Sequence, residues 1–209
     1  MEKVHCLKRF VFLVMALGLV TTFTSCDDDD EPKPNVPALT DVVGNYAGKM
    51  QTTSVSPLAE EGEEPQGTDV SAEVTNENVS FEKFPVADLI TAIMGEAAPG
   101  IIEAVGDVSY KIGYEPELNT EKDSILFVLD PKPLELNVSI PTETEGGEAQ
   151  NLHIEVKVSP VDGANYEVET TNLKFKIYVP EVSLGEGDNE PVALPGFVPA
   201  TFDFELKKN

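Results

Sequence analysis

From about residue 39 onward, apolar and polar positions alternate with a period of two nearly everywhere, the mark of strands with one buried face. In GNYAGKMQT, Tyr46, Gly48 and Met50 share one face, and Asn45, Lys49 and Gln51 lie on or near the other. This first strand is expected over roughly Val42 to Val55, with its glycines marking bends or close backbone approach. Val70, Ala72 and Val74 then alternate with Ser71, Glu73 and Thr75. Asn76-Glu77-Asn78 reads as a hairpin loop, and Val79 and Phe81 return. Val108, Tyr110, Ile112 and Tyr114 oppose Ser109, Lys111, Gly113 and Glu115. Ile125 to Leu129 is apolar without interruption, which makes it the candidate for a central strand.

Asp130-Pro131-Lys132-Pro133 predicts a turn. Leu134, Leu136, Val138 and Ile140 follow on one strand, and Leu152, Ile154, Val156 and Val158 on the next, with His153, Glu155 and Lys157 opposed. Asp162-Gly163 predicts a further turn, with the return strand starting at Tyr166 and Val168. Leu173, Phe175, Ile177 and Val179 continue it. Residues 181 to 199, rich in Pro, Gly and acids, predict a loop. Phe202, Phe204 and Leu206 form a last strand, expected to pair with the first and to close the sheet against exposed edges.

One segment breaks the period. In PVADLITAIMG, Val86, Leu89, Ile90 and Ile93 sit at i, i+3, i+4 and i+7, one face of a helix. Pro85 suits its first turn and Gly95 its end. Ile101, Ile102 and Val105 extend a helical insert expected to lid one end of the strands. The expected fold is all-β, an antiparallel β-barrel or sandwich of about 8–10 strands, with a short helical insert near 85–105.

The N-terminus follows a different logic. Lys3, Lys8 and Arg9 precede an apolar run from Phe10 to Val20, and small residues precede Cys26. That is a secretory leader pattern, with the run too short to span a membrane. The expected organisation is a signal peptide over 1–25, an acidic, proline-spaced tether over 26–38 (CDDDDEPKPNVPA) and a single β domain over 39–209. Removing the leader would take Cys6 with it and leave Cys26 as the one cysteine, so no intrachain disulfide is expected. A domain of this size buries about 70% of its unfolded surface, enough to fold without staples.

Composition narrows the chemistry. The chain carries 14 Lys+Arg against 38 Asp+Glu, a formal net charge of −24, and contains no Trp. Its only arginine is Arg9, in the leader, so bidentate guanidinium clamps on phosphate or carboxylate are unavailable to the domain. Nucleic acid is not an expected partner, because its affinity rests on neutralised phosphates. His153 is the domain's one imidazole. On the wet face of a strand it reads as a solvated side chain, and without a second His or Cys a zinc site would rely on carboxylates. The acidic loops (Glu60–Glu64, Glu143–Glu148, Glu186–Glu190) offer oxygen ligands without the spacing of a calcium loop. Asp188, Asn189 and Glu190 form the best such cluster. No G-x-S-x-G, Walker or dinucleotide motif occurs, and no pair of acids is singled out for glycoside hydrolysis. Tyr110 and Tyr114 are expected in the core or at its rim with satisfied hydroxyls. No enzyme, metal or cofactor is expected.

Two resemblances add an address and a family. FTSC, Phe23 to Cys26, resembles a lipoprotein signal, with Phe23 where a Leu-like residue is usual; the resemblance implies lipidation of Cys26. The run Asp27, Asp28, Asp29 and Asp30 is similar to the surface-export signal of Bacteroidetes lipoproteins, which implies a domain tethered to the outer membrane and facing outward. VVGNYAGKM, with V-x-G-x-Y-x-G at Val42 to Gly48, and F-x-x-F-P-V at Phe81 to Val86 resemble the calycin-like and related uncharacterised β domains of those bacteria. These motifs are structural and imply no binding or catalytic residue. The function expected is a non-catalytic binding module for a glycan, peptide or protein partner. A calycin-type carrier of a small apolar ligand is the alternative, and a carboxylate hydrolase the third reading. A pilin, which shares the lipidated leader, is a fourth reading; many pilins of that group mature at an arginine, which the domain lacks.

Overall fold

Alternating side chains close on themselves in a barrel. The computed structural model describes residues 37–54, 67–94, 98–140, 149–187 and 189–209. The leader, the tether up to Val36, and Glu60–Glu64, Glu143–Glu148 and Asp188 lie outside these residues. So do Val55, Gly95 and the side chain of Ile93.

A short 3-10 turn, Leu39–Val42, leads into ten strands. They are β1 (Gly44–Ser54), β2 (Thr68–Val74), β3 (Asn78–Phe84), β4 (Val108–Leu118) and β5 (Ser124–Pro131). The others are β6 (Leu134–Ile140), β7 (Gln150–Glu167), β8 (Asn172–Glu186), β9 (Val192–Ala193) and β10 (Ala200–Lys208). Two helices, α1 (Val86–Met94) and α2 (Ala98–Val105), separate β3 from β4. All pairings are antiparallel. The order β7-β5-β4-β3-β2-β1-β10-β8 returns to β7, which closes an eight-stranded barrel. The expected pairing of last strand with first is present, from Tyr46 opposite Lys208 to Ser54 opposite Ala200. β6 and β9 stand outside the ring. They pair with the first half of β7 and the last part of β8, forming a four-stranded extension β6-β7-β8-β9.

The interior is filled by large rings. Phe175 and Phe204, opposite each other on β8 and β10, stack with centroids 4.6 Å apart. Phe81 lies 5.4 Å from Phe204 and 5.5 Å from Phe84, and Phe84 lies 5.0 Å from Tyr110. Tyr114 and Phe127 meet at 4.6 Å, and Tyr46 and Tyr166 at 6.3 Å edge to face. Such pairs add about 0.5–1.5 kcal/mol each beyond their buried area. The α1 face is read correctly: Val86, Leu89 and Ile90 are buried in the same core, as is Ile101 of α2.

β1 approaches β10 so closely that a Cβ on Gly48 would sit 2.0 Å from the Glu205 carbonyl oxygen. Only glycine fits there, which gives the second glycine of V-x-G-x-Y-x-G a packing reason.

Ile125 to Leu129 lies in a central strand as expected, β5 pairing with β4 on one edge and β7 on the other, although Leu126 and Val128 are 41% and 60% exposed on the barrel exterior. Three sequence expectations are corrected. Asp162-Gly163 is not a turn. β7 runs through it, and the register slips between Val161 and Asn165, with Gly163 at φ +98°. The four steps from Val161 to Asn165 match two steps of β8, from Lys176 to Lys174, and such extra residues form a bulge, which bends a strand around a barrel. The reversal comes later, over 168–171, with Thr171 at φ +57° and the return strand starting at Asn172. Residues 181 to 186 are not loop either: β8 continues through them, Val182 being fully buried.

Candidate functional site

The spacing of Phe81 and Phe84 violates the period of two, yet both side chains are buried. The register explains this. Phe81 lies opposite Tyr110 and Phe84 opposite Val108, so Glu82 and Lys83 together face the single position Ser109. Both are exposed. This is a β-bulge, which increases local twist and can terminate pairing on a strand's other edge.

That other edge faces β2, and pairing there is short. β2 and β3 are in register only at Glu73–Ser80 and Val74–Val79, whereas β2 and β1 pair over the whole of β2. The Thr75 N–H donates to the Asn78 carbonyl at 2.9 Å, closing the hairpin. Hydrogen-bonded and non-bonded pairs alternate along an antiparallel ladder. Counting out from Thr75–Asn78, Glu73–Ser80 is the next exchanging pair, and Ser71–Glu82 would follow. The ladder stops before it. The backbone of Ser71 and Asp69 on β2, and of Glu82 on β3, therefore points into a gap.

The gap is a groove of about 410 Å³, reaching from Asn45 on β1 to Glu82 and Lys83 on β3. The hairpin closes one end. At the other, Thr68 Oγ1 donates to Asp88 Oδ2 at 2.6 Å, tying the start of β2 to the first turn of α1. Ser71 and Ser80 keep the walls low. Three acids line the groove, Asp69, Glu73 and Glu82, against Lys83. Lys83 is drawn to Asp107 at 2.7 Å, and hydrogen bonding to that carboxylate holds its ammonium above the usual lysine range. Lys49 reaches Asp69 at 2.7 Å in an exposed pair that contributes little. Among the described residues, Glu73 and Glu82 have no ion-pair partner. The groove therefore presents uncompensated negative charge beside open backbone donors and acceptors.

Tyr46 also lines the groove but is committed elsewhere. Its hydroxyl donates to the Val42 carbonyl, and burial pushes its pKa up, with Tyr166 beside it acting in the same direction. It is a neutral strut and offers no base.

The residues singled out in the sequence lie apart from the groove. Cys26 and Asp27, Asp28, Asp29 and Asp30 fall outside the described residues. His153 sits on the extension, half-buried, opposite Asn137, with Nδ1 2.9 Å from Asn137 Oδ1. Its nearest partner is thus an amide. Asn189 donates from Nδ2 to the Glu186 carbonyl at 2.8 Å, the bond of a local turn. Among the described residues, no three His, Cys, Asp or Glu side chains gather as metal ligands, and no helix is long and apolar enough to cross a membrane. Tyr110 and Tyr114 are buried with their hydroxyls donating to the Lys132 and Thr75 carbonyls, as expected. The groove was missed in the sequence, although F-x-x-F carried its signal: two inward rings three positions apart in a strand require a bulge.

Residues 41–184 match the family described as Domain of unknown function (DUF4840). No curated protein and no solved structure matches the chain. The matched segment holds the Val42–Gly48 and Phe81–Val86 motifs and the whole β2–β3 groove except its contact with Asn209. It stops within β8, short of β10, which bridges β1 and β8 in the ring. With most of its length matched, and with a barrel in keeping with an uncharacterised β domain, this chain belongs to the DUF4840 family.

Proposed function

We propose that this chain is an exported, lipid-anchored, non-catalytic binding module that meets its partner on the outside of a filled barrel. One observation carries the choice between binding module and carrier. A carrier encloses its ligand in an apolar pocket of about 300–1,000 Å³, whereas here Phe81, Phe84, Phe175 and Phe204 occupy the barrel centre in mutual contact. The β2–β3 groove, bordered by the end of the ladder, is a recess on the exterior. The anchor rests on the sequence alone, on Cys26 after a lipoprotein-like leader and on the acidic run behind it.

A melting-shift screen of the purified protein against glycans, peptides, lipids and calcium tests the binding role. A partner at a hundredfold excess over its Kd raises stability by about 2.7 kcal/mol. A lipid co-purifying in native mass spectrometry would favour the carrier instead. For the anchor, Cys26→Ala releases the domain from membranes into the soluble fraction; unchanged membrane association refutes it. Replacing Asp27 to Asp30 by Ala retains the lipid but removes protease access on whole cells. Unchanged access would make the run a spacer.

A further inference from the structure

We propose that the groove between β2 and β3 is a strand-addition site for an extended, basic segment of a partner protein. The proposal rests on the reading of this chain as a binding module and names what it binds.

The backbone supplies the first reason. On β2, the N–H and C=O of Ser71 and Asp69 face the groove beyond the last ladder pair, Glu73–Ser80. Opposite them, the bulge at Glu82 and Lys83 turns the β3 edge away. An open strand edge is the template on which an extended peptide adds by main-chain hydrogen bonds. The open stretch, between Thr68 and Glu73, has room for about four residues of strand at roughly 3.3 Å each. Ser71 and Ser80 are small enough to let a second backbone approach.

Charge supplies the second reason and selects the occupant. Asp69, Glu73 and Glu82 line the groove; Asp69 is paired with Lys49 and the groove's Lys83 with Asp107, while Glu73 and Glu82 have no ion-pair partner among the described residues. Alternate side chains of an added strand point outward, so Lys or Arg at every second position would meet these carboxylates. A second copy of this chain is a poor occupant, because both carry a formal charge of −24. A basic partner also gains in encounter rate from the same field, most strongly at low salt.

The test is selection of a displayed library of random peptides about twelve residues long against the purified protein, followed by hydrogen exchange on the winning complex. The expected winners carry alternating Lys or Arg, bind more weakly as salt rises, and slow exchange of the Ser71 amide about tenfold or more. Ser71→Pro removes that groove-facing N–H while leaving the β1 ladder its bonds, and weakens the peptide about tenfold or more. Should Ser71→Pro fail to fold, Glu73→Lys with Glu82→Lys, both exposed, serves instead and is expected to give a similar loss. Winners without basic residues, or winners that leave the Ser71 amide and both variants unaffected, overturn the proposal. If no peptide is enriched but a glycan shifts the melting point, strand addition fails and the binding-module reading stands. If neither binds, both fail.

Discussion

Phe204→Ala measures whether the barrel is solid. Phe204 is fully buried on β10, stacked on Phe175 at 4.6 Å and flanked by Phe81 at 5.4 Å and Phe84 at 6.3 Å. Truncation removes a phenyl ring from a site whose other walls are rings on β3 and β8. Those rings are held by their own ladders and cannot collapse far into the hole. Loss of transfer free energy plus the residual cavity sets the cost at about 3–5 kcal/mol. Against a native stability of about 5–15 kcal/mol, the variant should remain folded with its urea midpoint sharply lowered and its m-value unchanged. In thermal melts the same loss lowers Tm by roughly 10 °C for a chain of this size. Val128→Ala, 60% exposed on the exterior of β5, is the control and should change stability by less than about 0.5 kcal/mol. The variant should also gain binding of benzene, as a dry apolar cavity does. A cost for Phe204→Ala below about 1.5 kcal/mol would mean that the ring already borders a void. A carrier would then be the better reading of the barrel.

Three further outcomes are expected. Gly48→Ala drives a methyl to 2.0 Å from the Glu205 oxygen and 2.8 Å from the Leu206 Cα, backbone atoms with no rotamer to yield. It should cost about 1–3 kcal/mol in urea unfolding, and a neutral result would mean that β1 and β10 separate freely. Burial raises the Tyr46 and Tyr110 phenols above their ordinary 10.0. The unfolded chain therefore loses these protons first, so stability is intact below about pH 10 and declines above it. Urea midpoints taken with tyrosinate absorbance across that range check the sign. Gly100→Ala, exposed in α2 with open space around its Cα, should stabilise by about 0.5–1 kcal/mol, read as a rise in melting temperature.

Strand existence was legible because the core demands it. Where one face of a strand is buried, the period of two is written into residues such as Leu173, Phe175, Ile177 and Val179. Register breaks were harder to read. Asp-Gly favours a hairpin turn, but the same positive φ at Gly163 also serves a bulge within β7, and only pairing with distant β8 decides between them. The tail of β8 reads as loop from its Glu, Gly and Ser content, although Val182 and Leu184 keep the alternation. It is made a strand by pairing with β7 about thirty residues away. The unbroken run Ile125 to Leu129 did mark a strand paired on both edges, yet Leu126 and Val128 within it face water, as apolar residues do on folded surfaces. The groove lay furthest from view. Its side chains are ordinary surface serines and acids, and what distinguishes it is the ladder that stops beside them.

A single extra residue in β3 accounts for that stop, and its removal is a direct test. Deleting Lys83 leaves Phe81, Glu82 and Phe84 in simple alternation, opposite Tyr110, Ser109 and Val108. Both rings stay inward, so the barrel centre keeps its packing. The Lys83–Asp107 contact is lost, but both groups are well exposed and such pairs contribute little. Without the bulge, β3 loses its extra twist. The β2–β3 ladder can then run on from Glu73–Ser80 to Ser71–Glu82. The expected variant folds with an unfolding midpoint close to that of the parent, shows slowed exchange at the Ser71 amide without any ligand, and no longer binds a groove-selected peptide. Fast exchange at Ser71 in a folded deletion variant would mean that α1, tied to β2 through Thr68 and Asp88, holds the strands apart in place of the bulge. The two causes are separable because Thr68→Val cuts the tie to α1 and leaves the bulge intact.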